Sequence, residues 1–180
     1  MRLVIHAAAI CFLSTATAFV LANQIKQMPS GRRAAWLGLL AFVTGAGIWA
    51  THFIAMLAYQ PQLPTRYSAS ATIISIMIAI VASALSWRVL FAPTRRGAVL
   101  AGCSFSLGIS AMHFTGMAAF RTTGHLAYLE SLVGIAVVTG ALLSTIASHL
   151  FKVGERRPIL AATALTLAIC VIHFGSMAAV

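Results

Sequence analysis

Six continuously apolar runs, each about 20 residues long, constrain this chain more than any other feature: Leu3 to Asn23, Ala34 to Leu57, Ser68 to Leu90, Ala98 to Phe120, Leu129 to Phe151 and Ile159 to Val180. Wound at about 1.5 Å per residue, a run of that length crosses a hydrocarbon core roughly 30 Å thick. Lipid offers no water to the backbone, so each run must satisfy its own amides as a helix; a closed barrel would instead alternate over about 10 residues. The expected fold is an all-α integral membrane domain of six transmembrane helices, one domain over residues 1–180. Composition agrees, with 61% hydrophobic and 8% charged residues and a mean hydropathy of +0.97. The spans leave only short connections, so an enzyme with its own soluble catalytic domain is not expected.

The loop charges set a direction. Lys26, Arg32, Arg33, Arg88, Arg95, Arg96, Lys152, Arg156 and Arg157 fall between spans one and two, three and four, and five and six, whereas Arg2, Arg66 and Arg121 fall on the other side. Lys and Arg are retained in the cytoplasm, so nine against three places both termini outside. The tyrosines Tyr59, Tyr67 and Tyr128 lie in the outer loops, where interfacial belts favour them. A cleaved secretory signal ending at Ala22 is the rival reading of the first run, but it would strand Lys26, Arg32 and Arg33 outside and invert the bias downstream. Scattered cations between apolar runs are topogenic, with modest affinity for anionic lipid, and leave no basic surface for nucleic acid. Cys11, Cys103 and Cys170 all sit inside apolar runs and make no disulfide framework.

Three segments superimpose without gaps: GAGIWATHFIAMLAY from Gly45, SLGISAMHFTGMAAF from Ser106 and TLAICVIHFGSMAAV from Thr166. Their histidines, His52, His113 and His173, are 61 and 60 residues apart. The spans therefore group as three repeated hairpins, about 1–60, 61–121 and 122–180, each ending in one motif. Within a motif, Ile48, Ile109 and Ile169 precede the histidine by four residues, and Met56, Met117 and Met177 follow it by four. Positions i and i+4 of a helix differ by only about 40° in azimuth, so imidazole and thioether share a face. Small residues before each Met (Ala55, Gly116, Ser176), with Gly45, Gly47 and Gly108, allow the three motif helices to approach closely.

Imidazole and thioether without carboxylate form a soft-to-borderline ligand set for which copper is the first choice. His/Met ligation of haem iron is the runner-up. Met112 is rotated about 100° from His113 and reaches toward a neighbouring helix; Cys170, three residues before His173, is an optional extra ligand. A single intramembrane histidine often only bridges helices, but ionisable groups in lipid are costly, and three copies at one depth favour a ligand site over packing. His6, His125 and His149 are not assigned to it. Glu130 and Glu155 lie on opposite sides of the membrane and form no catalytic pair, and no nucleophile triad or phosphate-binding loop is present.

These residues resemble the MHYT domains, bacterial membrane sensor modules named for a repeated Met-His-Tyr-Thr motif. The second copy, Met112-His113-Phe114-Thr115-Gly116-Met117, differs by one aromatic exchange, and the first carries the lead-in Gly47-Ile48-Trp49. The resemblance implies a metal, copper first, held by His52, Met56, Met112, His113, Met117, His173 and Met177 near the periplasmic face of the bacterial inner membrane. It further implies response to a diatomic gas (oxygen, carbon monoxide or nitric oxide) or to redox state, read out through a partner. Thr51 and Ile172 stand where the leading Met would be, and Phe53, Phe114 and Phe174 replace tyrosine. Family members feed cytoplasmic output domains; here the sequence reaches Val180, which leaves a stand-alone module with a signalling partner or part of a longer receptor. The competing class is a copper-handling or electron-transfer protein serving a metal-handling partner.

Overall fold

The computed structural model describes residues 2–59, 65–121, 127–153 and 158–180. Six helices carry the chain: α1 (Arg2–Lys26), α2 (Ser30–Ala58), α3 (Ala69–Phe91), α4 (Gly97–Ala119), α5 (Glu130–Val153) and α6 (Pro158–Met177). All six are long and apolar enough to cross a membrane. α2 starts at Ser30 rather than at the apolar edge, Ala34, and so takes Arg32 and Arg33 into its first turns. Backbone hydrogen bonding continues past the hydrocarbon boundary into the headgroup layer, which residue hydropathy does not report. Arg88 likewise lies in the last turn of α3.

Each helix packs on its sequence neighbours, and α6 returns to α1, so the six close into a ring with α4 also touching α2 and α6 at its centre. Half or more of the apolar stretch of α2, α4 and α6 is buried, against a third or less in α1, α3 and α5. The motif helices thus form the inside, and the other three present Ile, Leu and Val to lipid.

With no hydrophobic drive between helices in a bilayer, close packing and polar pins hold them together. A Cβ on Gly45 would lie 2.6 Å from Ile80 Cα, so α2 and α3 touch backbone to backbone there. Trp87 Nε1 donates to Thr44 Oγ1 at 2.9 Å across the same seam, and Thr15 and Thr166 hydroxyls meet at 2.8 Å where α1 closes on α6.

The two ends differ. At one, here the basic end, the turns bearing Lys26, Arg33, Arg95 and Lys152 gather. At the other, the histidine end, a two-residue ladder departs from the all-helical expectation: β1 (Arg66–Tyr67) pairs antiparallel with β2 (Phe120–Arg121). Ser68 N donates to Ala119 O and Leu129 N to Ala179 O, both at 2.8 Å. Ala119 and Ala179 each lie six residues past a motif histidine, so the repeat extends to the way two of the motif helices, α4 and α6, are tied to the segments entering α3 and α5.

Candidate metal centre

His52 on α2, His113 on α4 and His173 on α6 meet in the interior, 2%, 1% and 5% exposed. His52 Nδ1 lies 3.2 Å from the Nδ1 of His113 and 3.2 Å from that of His173. The ring centroids are 4.9, 5.2 and 5.3 Å apart, with planes crossing at 83–86°. One nitrogen from each ring lies within 4.8 Å of the others. The three inner helices thus bring together histidines that are about 60 residues apart in sequence.

Proton bookkeeping shows what this cluster lacks. A neutral imidazole has one N–H and one lone pair. His52 Nδ1 faces two other Nδ1 atoms, while His52 Nε2 and His113 Nε2 are buried with no hydrogen-bond partner among the described residues. In either tautomer, each of these two rings leaves a buried donor or acceptor unmet, at about 1–3 kcal/mol per group. Ser176 Oγ, one turn beyond His173, is also buried without a partner. Among the described residues no carboxylate side chain compensates: the sequence has two acidic residues, Glu130, at the start of α5, and Glu155, which lies outside the described residues.

The neighbours are shaped to the rings. A Cβ on Gly116 would fall on His52 Nε2 and 2.8 Å from its Cδ2, so the α2 imidazole lies directly on the α4 backbone where only glycine fits. Each histidine is walled by the next residue, with centroid separations of 4.9 Å to Phe53, 5.1 Å to Phe114 and 4.9 Å to Phe174. On the basic side Ile48, Ile109 and Ile169, all buried, belong to the main core.

The seven predicted ligands divide into three groups. The three histidines converge. Met56 and Met117, buried, cluster with Phe120 and the partly buried Met177, one turn toward the histidine end. Met112 instead packs in the main core with the motif isoleucines. Met56, Met177 and His173 also line a cavity of about 180 Å³ between α1, α2 and α6, with Val4, Tyr59 and Phe174 at its walls. Cys170 meets Cys11 of α1. His6 is exposed and bonds Arg2 O, His149 is exposed at the basic end, and His125 lies outside the described residues.

One layer escaped the sequence reading. Tyr67 packs on Phe53 and Tyr128 on Phe114, at 5.8 and 5.6 Å between centroids. The two tyrosines are 61 residues apart, the repeat spacing itself, and that recurrence was the available signal. Burial raises both phenol pKa values above the ordinary 10.0.

Comparison with known proteins places this geometry. Residues 45–103 and 107–164 each match the MHYT repeat, described as a bacterial signalling protein N terminal repeat. The chain is 37% identical over its whole length to an uncharacterized signaling protein of Caulobacter vibrioides, covering 23% of that protein. It is 39% identical over 80% of its length to the cyclic di-GMP phosphodiesterase NbdA of Pseudomonas aeruginosa, covering 19% of it. To the bifunctional diguanylate cyclase/cyclic di-GMP phosphodiesterase MucR of the same species it is 34% identical over 94% of its length, covering 26%. The chain therefore spans about a fifth to a quarter of these relatives. No solved structure matches it. With two repeat matches spread over α2 to α6 and relatives aligned along nearly its whole length, this chain belongs to the MHYT family, a membrane-spanning signalling domain rather than a catalytic one.

Proposed function

We propose that the chain is a sensor module of the bacterial inner membrane whose input is a metal centre, copper first, held by His52, His113 and His173. The observation that carries this reading is the convergence of three buried imidazoles, with His52 Nδ1 facing the Nδ1 atoms of both His113 and His173 and no carboxylate beside them among the described residues. Two imidazole nitrogens sharing one tetrahedral ion at about 2.0 Å lie about 3.3 Å apart. The 3.2 Å spacings from His52 to His113 and His173 fit that requirement. Met56, Met117 and Met177 supply thioether sulfur in the adjacent layer, and sulfur beside imidazole favours copper over zinc. Imidazoles already in mutual contact leave no slot between any pair for a macrocycle, which supports an ion over haem.

A bound copper ion would supply a centre able to change oxidation state or to take a small diatomic ligand. The chain's own residues do the rest. Phe53, Phe114 and Phe174 keep water from the rings. The cavity beside His173, Met56 and Met177 gives a small molecule a route from the histidine end. Because each histidine belongs to a different inner helix, any change in how the three are held biases the packing of α2, α4 and α6, and a two-state shift follows from that difference. The nine-to-three distribution of Lys and Arg points the histidine end to the periplasm and the basic end to the cytoplasm. The relatives' names give the output class: turnover of cyclic di-GMP by a catalytic domain attached to, or partnered with, the membrane module.

The test is spectroscopic. Copper-loaded protein in detergent should change its optical or infrared spectrum on adding carbon monoxide or nitric oxide, and His173→Ala should abolish the change. A response to reductant alone would replace gas sensing by electron transfer, and no response to either would leave copper handling.

A further inference from the structure

The basic end holds a second site, unrelated to the histidines. Rings from the three outer helices meet there: Phe19 of α1, Trp87 of α3 and Phe151 of α5 form a closed triangle with centroids 5.2, 5.9 and 5.6 Å apart. The Phe151 corner of this triangle borders a cavity of about 460 Å³ among the ends of α1, α3 and α5 and the first turns of α2. Its apolar part is made by Ile25, Leu90 and Phe151, and its rim by Lys26, Arg33 and Lys152. No acidic side chain lines it among the described residues.

The rim cations are held by helix-end carbonyls. Lys152 Nζ donates to Ala92 O and Thr94 O, both at 3.3 Å, spanning from α5 to the end of α3. Arg33 donates through Nε to Met28 O at 3.1 Å and through Nη2 to Lys26 O at 3.0 Å, closing on the end of α1. Lys26 Nζ bonds Phe151 O at 3.3 Å and sits 3.9 Å from the Phe151 ring centroid. Neutral carbonyls fix the positions of Arg33 and Lys152 and leave their charge intact. An ammonium with two carbonyl partners keeps a third donor, and a guanidinium with two keeps three.

We propose that this cavity binds the phosphate of an anionic phospholipid. Arg33 and Lys152 receive the phosphate oxygens, and the apolar floor takes the first part of the glycerol and acyl region. The site lies at the helix ends, at headgroup depth, where such a lipid is already present. A lipid seated there bridges α1, α2, α3 and α5, and it does so whether or not the histidines hold a metal.

The experiment is native mass spectrometry of the delipidated full chain titrated with phosphatidylglycerol or phosphatidylcholine. Phosphatidylglycerol should be retained preferentially, and Arg33→Gln/Lys152→Gln should weaken it about 30-fold, at roughly fivefold per cation. Arg95→Gln/Arg96→Gln, which removes two exposed charges outside the cavity, should leave retention unchanged, and Lys152→Arg should preserve it. Circular dichroism confirms that each variant remains helical. Displacement of the lipid by millimolar inorganic phosphate would reassign the site to the free anion. Equal retention of both lipids, or equal loss in both double variants, would overturn the proposal.

Discussion

Gly116→Ala removes no donor atom, adds one methyl group and should disable the centre. Its Cβ would fall on His52 Nε2, 2.8 Å from Cδ2 and 3.4 Å from Cε1. Carbon atoms rest at about 3.5–4.0 Å, so the ring must retreat by about 0.7 Å at Cδ2 and by about an ångström at Nε2. A ligand constellation tolerates about 0.5 Å. Overpacking of this kind costs about 1–3 kcal/mol, and displacing a ligand through its support costs about 10–100-fold in metal affinity. The assay is competition for Cu(I) against a colorimetric chelator, beside thermal unfolding in the same detergent. Gly38→Ala and Gly134→Ala are the controls, because nothing lies within 4 Å of a Cβ at either position. They should keep full affinity and gain up to about 1 kcal/mol from helix propensity. Wild-type copper affinity in Gly116→Ala would show that His52 is not a ligand, and the argument from the close α2–α4 approach would fail with it.

Three further outcomes follow. Thr44→Val leaves Trp87 Nε1 without its 2.9 Å acceptor and should cost about 0.6–1.7 kcal/mol by thermal or denaturant unfolding in micelles, with copper affinity unchanged. Tyr67 and Tyr128, raised by burial above 10.0, should titrate in the ultraviolet with midpoints above that pH. Their contribution to stability is complete well below pH 10.0 and is lost as pH rises through the folded-state values; a midpoint at or below 10.0 for either would refute the packing on Phe53 and Phe114. A phosphatase reporter active only outside the cytoplasm should be active when fused in the α2–α3 connection and inactive in the α3–α4 turn; the reverse would invert the orientation.

The sequence made the spans and the histidine cluster legible because both follow from periodicity alone. Six apolar runs have one solution in lipid, and His52, His113 and His173 recur at a spacing that puts each on the same turn of alternate helices. Azimuth along one helix does not say which neighbour a side chain meets. That is why Met56, Met117 and Met177 could be grouped in advance, whereas Met112, turned away from His113, went to the main core. Of the small residues Ala55, Gly116 and Ser176, only the packed structure reveals that Gly116 receives a neighbouring imidazole. The Phe19–Trp87–Phe151 triangle depends on three outer helices meeting at one end, and no local pattern encodes it. Tyr67 and Tyr128 were legible at the repeat spacing, but their packing on the phenylalanines that replace the motif tyrosine was not.

The most direct test of the central claim is elemental analysis of the purified protein beside His52→Ala, His113→Ala and His173→Ala. The account predicts stoichiometric copper in the parent chain and its loss from all three variants, each remaining helical by circular dichroism. A parent that takes up no metal after reconstitution, or variants that all retain copper at the parent level, would contradict it and leave the three imidazoles as a packing device.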